Sequence, residues 1–443
     1  MIGRLRRNAE LGLLVLVGVI TGGAYTLASL GRSASIPANI GPFLGMILVL
    51  LLVAHLAVRR LAPRADGLLL PLAGLLNGIG YVMLTRLDKS LAAFQATWTL
   101  VGILAFIITL LVVRRVRDLE RYRYTFAFLG IGLLLLPLVP KVGTEINGAR
   151  IWVRAGGASF QPGEFAKIVL AVFFASYLVE KRELLAMTTW PKFRPVLPDP
   201  KHLGPVLVAW AAAVLIMTAE KDLGQSVLFF AVFMVMLWVV TERGTYIVVG
   251  TVLFAGAAYA AWTKFAHVQS RVSNWLDPWK DQAKGGYQVI QGWYSMAAGG
   301  VAGTGLALGT PNKIPEAKND FMFAAIGEEL GLLGATAVLV IFVLMIGAGL
   351  RIAVRAEGAF EKLLAVGLTA LLGIQSFVII AGVTRLLPLT GVALPFVSYG
   401  GSSLVANYVL LALLLRVSDS TTKRDEERVE AALASAGSGG GRR

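Results

Sequence analysis

The sequence predicts an all-α, polytopic integral membrane protein of about twelve transmembrane helices with one long outer loop. Three observations predict this. Of 443 residues, 56% are hydrophobic and only 15% charged, with mean hydropathy +0.72, whereas soluble domains carry about a quarter charged residues. Apolar windows of about 20 residues recur along the chain, each long enough to cross the hydrocarbon core. The windows are continuous rather than alternating, which argues against a transmembrane β-barrel.

The spans fall in order at 11–31, 41–58, 67–85, 95–113, 123–140, 162–180, 203–219, 223–241, 245–263, 321–350, 360–383 and 393–415. The first follows Arg4, Arg6 and Arg7 and lacks a small-residue cleavage site, so it reads as a retained anchor rather than a signal peptide. Charge orients the set. Arg59-Arg60-Arg64, Arg114-Arg115-Arg117, Lys181-Arg182-Lys192-Arg194-Lys201, Arg243 and Arg351-Arg355-Lys362 crowd one side, while the opposite short loops hold only Arg32, Arg86, Lys89, Lys221 and Arg385. Lys and Arg concentrate in the cytoplasm, so both termini are expected inside a cytoplasmic membrane.

Residues 1–415 therefore read as one membrane domain and 416–443 as a flexible cytoplasmic tail ending in Ala436-Gly-Ser-Gly-Gly-Gly-Arg-Arg443. Two outer loops, 141–161 and 264–320, are richer than the rest. The second carries Trp275, Trp279, Tyr287, Trp293 and Tyr294, an aromatic density that argues for order along the outer membrane surface.

Composition also excludes chemistry. There is no cysteine, hence no disulfide and no thiolate ligand, and His55, His202 and His267 lie far apart in sequence. The net charge of +15 does not imply nucleic acid, because the basic residues flank apolar spans.

Asp320 is the most informative residue. It closes the polar run Ile314-Pro-Glu-Ala-Lys318-Asn319-Asp320 and opens a long apolar helix. A helix N-cap is the plain alternative, yet ionisable groups at a bilayer edge are costly and read as functional. Glu164 and Lys167 share a helix face at i,i+3 just after Gln161-Pro162-Gly163. Glu220-Lys221-Asp222 forms a tight turn, and Glu328-Glu329 lies roughly 12–14 Å along the helix from Asp320. The Gly-rich run Ala298–Gly305 suits close backbone packing better than a phosphate loop.

Several stretches occur in a familiar order: Gly148-Ala-Arg150-Ile-Trp152, Gln161-Pro-Gly-Glu164-Phe-Ala-Lys167, Lys221-Asp222-Leu-Gly224, Arg271-Val272 with Leu276-Asp-Pro278, Gly286-Tyr287 with Gln291, Pro315-Glu316 with Asp320-Phe321, Gly327-Glu-Glu-Leu-Gly331, and Thr390-Gly-Val-Ala-Leu-Pro395-Phe-Val-Ser398-Tyr-Gly-Gly-Ser402-Ser403. Together they resemble the SEDS family of RodA/FtsW-type peptidoglycan glycosyltransferases, in a pattern nearest to its actinobacterial RodA branch. The chain departs from the family at Glu220-Lys221 (for Gln-Pro), at Gln291-Gly292 (for Gln-Ser), at Met296–Gly300, and in having two spans beyond the usual ten.

The resemblance implies polymerisation of lipid II at the outer leaflet, in elongation or division, with a class B penicillin-binding protein as partner. It implies Asp320 as catalytic residue. The cavity residues would be Arg150, Trp152, Glu164, Lys167, Asp222, Arg271, Gln291, Lys318, Glu328, Glu329, Ser398 and Ser402. The chemistry fits: a sugar 4-hydroxyl displaces a lipid pyrophosphate with inversion, which needs one base. The leaving group is already good, so positive charge replaces the acid that a glycosidase needs. A divalent cation, Mg²⁺ or Mn²⁺, could share the pyrophosphate through oxygen ligands, with Asp320 as its protein carboxylate. Lys167 is expected within salt-bridge reach of Asp320. A lipid II flippase is the alternative, with Glu328-Glu329 as its only hint of a polar track; a scaffold for the transpeptidase is compatible with either.

Overall fold

The structure, a computed structural model, describes residues 2–33, 40–146, 149–155, 158–186, 200–283 and 285–439. Lys192 and Arg194, among the basic residues expected on the cytoplasmic side, lie outside them. The helices, in chain order, are α1 (Ile2–Ser33), α2 (Ile40–Leu61), α3 (Leu69–Leu87), α4 (Lys89–Val112), α5 (Arg123–Leu135), α6 (Gly163–Glu180), α7 (Arg182–Ala186), α8 (Pro200–Ala219), α9 (Leu223–Thr241), α10 (Gly244–Lys264), α11 (Ala266–Leu276), α12 (Tyr287–Gly299), α13 (Met322–Arg355), α14 (Ala359–Val383) and α15 (Gly401–Gly439). Among the described residues, eight helices are long and apolar enough to cross a membrane: those in α1, α3, α4, α9, α10, α13, α14 and α15. Helices α2, α5, α6 and α8 stand where the other four spans are expected.

Burial ranks the helices. The span of α15 is 89% buried and those of α3 and α14 are 72% buried, whereas that of α10 is 11% buried and packs on α9 and α11. Helix ends follow local chemistry. Asp88 stops α3 with extended backbone and caps α4 by accepting from the Ser90 amide at 3.0 Å.

Helix α13 is broken at Gly331 (φ 67°, ψ −167°), a conformation glycine alone adopts without strain. The amides freed by the break are not orphaned. Leu332 and Leu333 donate to the carbonyls of Gly300 and Val301 at 3.0 and 3.1 Å, and Thr304 and Gly305 donate back to those of Glu328 and Glu329. Irregular backbone persists at membrane depth only when protein satisfies it this way. The half-helix 322–330 before the break is nearly all buried, while the half after it exposes Leu332, Leu333, Val340 and Val343.

The structure gives local form to three segments that the sequence left as loops or tail. The 141–161 segment, read from sequence as a loop, holds a three-stranded antiparallel meander, β1 (Gly143–Ile146), β2 (Ala149–Ala155) and β3 (Ala158–Phe160). The alternation Arg150-Ile-Trp-Val-Arg154 suits a strand, and Thr144 pairs with Trp152 across it. The 264–320 segment is largely built from α11, α12 and short 3₁₀ turns. The tail, expected to be flexible, is helical over its described length, as α15 runs on to Gly439. Charge holds that extension: Arg424 forks onto Glu361 at 2.6 and 3.0 Å, Arg64 pairs with Glu426 at 2.5 Å, and Arg428 pairs with Glu357.

Candidate active site

At the end of the bundle that carries the β-meander and α11–α12, a cavity of about 200 Å³ is lined by Asp320, Arg271, Asn274, Gln288, Arg385 and Gly391, among others. Its floor comes from the start of α13 and its walls from α11, α12 and the α14–α15 connection.

Asp320 ends a tight turn. Glu316 sits at φ 55°, and its carbonyl accepts from the amides of Asn319 and Phe321. The connection before α15 clamps the same turn. Ser398 Oγ donates to the Asn319 carbonyl at 2.6 Å, and the Tyr399 amide donates to the Lys318 carbonyl at 2.8 Å. Phe321 is fully buried against Gly292, where any Cβ would strike its ring at 2.5 Å. In this packing the position takes glycine.

Burial pushes the Asp320 carboxyl up to about 7, and Glu316 and Asp222 add to the rise; Arg271 opposes it. A carboxylate poised there suits a general base at neutral pH. Arg271 is held by its Nη1, which donates to the carbonyls of Thr390 (2.7 Å) and Leu389 (3.2 Å). Asp222 caps α9 by accepting from the Gln225 amide at 3.0 Å, and burial raises its carboxyl to about 6. It lies close enough to Asp320, Arg271 and Lys167 to feel their charges.

The predicted site residues divide. Asp320 and Arg271 line the cavity. Ser398 holds the turn that presents Asp320. Ser402 accepts from the Gln161 amide at 2.9 Å and so fixes the start of α6. Lys167 does not pair with Asp320. Its ammonium bonds Glu164 at 2.7 Å and Gln375 at 2.6 Å, in a buried network that Gln225 completes through Glu164 at 2.7 Å. The i,i+3 spacing puts Glu164 within easier reach of Lys167 than a carboxylate on another element.

Lys318 turns toward Asp88, 3.9 Å away. Arg150 is tied by its amide to the Glu220 carbonyl at 3.2 Å, and Trp152 pairs with Thr144 in the meander; neither lines the cavity. Nor does Gln291: one turn earlier on α12, Gln288 does, and it donates to the Pro315 carbonyl at 3.1 Å.

Glu328 and Glu329 also leave the cavity. Glu328 accepts from Ser295 and from the Thr310 amide, while Glu329, fully buried, accepts from the Ala307 amide at 3.0 Å and faces Arg86 at 2.9 Å. They fasten the 299–310 loop to the broken helix, and neither is left open to form a polar track.

Sequence reading missed Asn274, Gln288 and Arg385. Arg385 sits at φ 65° and donates to the carbonyls of Trp275 (2.9 Å) and Leu276 (2.6 Å), while Trp275 Nε1 donates back to the Arg385 carbonyl at 3.0 Å. Its guanidinium also covers the Trp293 ring at 4.9 Å. A lone Arg in a short outer loop was the only signal. Among the described residues, no three carboxylates or imidazoles gather as a metal site.

The model of the family FTSW_RODA_SPOVE, described as "Cell cycle protein", matches residues 67–423, and the chain belongs to this family. It is 43% identical over 445 residues to the peptidoglycan glycosyltransferase RodA of Mycobacterium tuberculosis, covering 98% of this chain and 95% of that one. It is 37% identical over 289 residues to the probable peptidoglycan glycosyltransferase FtsW of Geobacter sp., covering 65% and 76%. Among solved structures it is similar to a chain of a peptidoglycan synthase complex described as coordinating polymerization and crosslinking (TM-score 0.66, 27% identity, 81% and 98% covered). It is also similar to the Thermus thermophilus rod shape determining protein RodA (TM-score 0.58, 28% identity, 80% and 96% covered). Helices α1 and α2 precede the family match.

Proposed function

We propose that this multi-pass membrane protein is a peptidoglycan glycosyltransferase that polymerises lipid II into glycan strands at the outer face of the cytoplasmic membrane. The observation that carries this reading is a half-buried carboxylate, Asp320, raised toward neutrality beside Arg271 in a cavity at one end of the bundle. With the positive-inside pattern, that end is the outer one and both termini are cytoplasmic.

In the reaction, Asp320 takes the proton from the acceptor sugar 4-hydroxyl. The oxygen bonds to C1 of the donor as the C1–O bond to the pyrophosphate breaks on the opposite face. Lipid pyrophosphate departs with that electron pair, and the anomeric centre inverts. Arg271, whose Nη2 faces Gly391, is placed to stabilise the charge on the leaving group. A divalent cation in this cavity would take Asp320 as its protein carboxylate and its other oxygens from substrate, supplying positive charge to the same leaving group.

A class B penicillin-binding protein is the proposed partner, which would cross-link the strand as it emerges. The deciding experiment supplies lipid II to the detergent-solubilised protein, with and without the transpeptidase. Glycan polymer on a gel is expected, and it disappears with Asp320→Asn. If no polymer forms under either condition, while reconstituted vesicles move lipid II across the bilayer, the protein is a flippase instead.

A further inference from the structure

The outer ends of α1 and α3 carry residues that the reaction does not use, yet they reach the catalytic half-helix or the loop bonded to it. Arg86, one residue from the end of α3, is only 11% exposed and makes three contacts across the fold. Its Nε lies 2.9 Å from the fully buried Glu329 carboxylate, its Nη2 donates to the Gly309 carbonyl at 2.8 Å, and its Nη1 reaches Asn312 at 3.4 Å. Glu329 accepts in turn from the Ala307 amide, and Ala307 is held at φ 65°.

The outer end of α1 leans on the same loop. Gly31 is so close that a Cβ would stand 2.4 Å from the Leu306 carbonyl, and Arg32 reaches the Arg86 carbonyl at 3.5 Å. The loop is bonded by backbone to both sides of the Gly331 break. Glu329 lies nine residues after Asp320, about 14 Å away at helical rise. The contacts therefore join α1 and α3 to one end of a rigid buried segment whose other end presents Asp320.

We propose that Arg86 is a positioning residue for Asp320, acting through Glu329 and the 299–310 loop, with the outer end of α1 as a second support. A general base needs its geometry held closely, and a displacement of about 1 Å can cost 10²-fold in rate. The effect should fall on turnover, since Arg86 is outside the cavity that binds substrate.

The proposal rests on the glycosyltransferase reading, and the test separates the two. Purified wild-type protein that makes no polymer would defeat that reading before any variant is compared. With an active wild type, Arg86→Ala is expected to lower kcat by about 10–100-fold with KM within about twofold. Arg86→Lys, which keeps a cation opposite the buried Glu329 but loses the guanidinium fork, should run faster than Arg86→Ala and slower than wild type. Arg424→Ala serves as control: it breaks the remote Arg424–Glu361 pair, and should lower Tm without changing kcat. Gly31→Ala should lower kcat less than Arg86→Ala.

The proposal is overturned if Arg86→Ala keeps kcat within twofold of wild type, if Arg86→Lys is no faster than Arg86→Ala, or if kcat falls as far in the Arg424→Ala control. Should Arg86→Ala fail to fold, Glu329→Gln decides: a several-fold loss of kcat at unchanged KM supports the linkage, and an unchanged kcat ends it.

Discussion

Asp320 and Arg271 face one another around the bare α-carbon of Gly391. A Cβ there would lie 3.7 Å from Asp320 Oδ2 and 3.6 Å from Arg271 Nη2, yet the two charges form no ion pair. Gly391 has φ 75°, and its missing side chain leaves the gap between base and cation open. The proposed reaction needs such a separation, for an acceptor hydroxyl on one side and a departing phosphate on the other. A closed Asp320–Arg271 pair would hold the carboxylate ionised but occupied.

Asp320→Asn should abolish polymerisation while leaving the fold in place. A general base contributes about 10²–10⁴-fold, whereas a lost helix cap costs only about 1 kcal/mol. Polymer length on a gel and Tm in detergent check both halves. Near-normal product from the Asn variant would remove Asp320 from the mechanism.

Turnover should depend on pH through the same group. The ionised form accepts the proton, and burial holds Asp320 at about 7. The kcat profile is therefore expected to rise with pH and level off above about 7, falling tenfold per unit on the acid side. Arg271 lowers this value, so Arg271→Gln should move the acid limb to higher pH. A limb that stays at the wild-type position in Arg271→Gln would show that another group titrates.

The Lys167 network is a matter of folding rather than of proton transfer. Lys167→Met strands the Glu164 carboxylate, 2% exposed, without its cation. A loss of about 3–5 kcal/mol is expected. Adding Glu164→Gln should restore most of it, because the uncompensated charge is gone. A double variant no more stable than the single one would contradict this.

The orientation has a direct test, since the chain has no native cysteine. A membrane-impermeant thiol reagent applied to intact cells should label Gln282→Cys and spare Arg115→Cys, both exposed positions on opposite sides of the proposed topology. The reverse labelling pattern would place the cavity in the cytoplasm, where the proposed reaction has no acceptor strand.

What the sequence made legible follows from range. The apolar windows, the helix start after Asp320 and the Glu164–Lys167 spacing are local patterns, and each appears in the structure. The partner of Lys167 was not local. Gln375 is 208 residues away, and nothing in its own helix marks it. The family motif points to Gln291 while Gln288 lines the cavity, because a motif names a residue type and not the face that α12 turns to the cavity. Glu328 and Glu329 were expected at the cavity, with a polar track as the alternative, because their acceptances from the 299–310 loop depend on the break at Gly331. Arg385 needed the fold to bring it over Trp293 and beside the end of α11.

The break at Gly331 also separates two jobs that one long helix would have to share. A continuous span tilts or shifts when bilayer thickness changes, because its apolar length must match the lipid. Here the lipid-facing half can adjust below the glycine, while the half that bears Asp320 takes its height from the turn at Ser398 and the loop at Glu329. In the proposed mechanism this registers the base to the protein's own frame rather than to the membrane's midplane, which insulates it from hydrophobic mismatch.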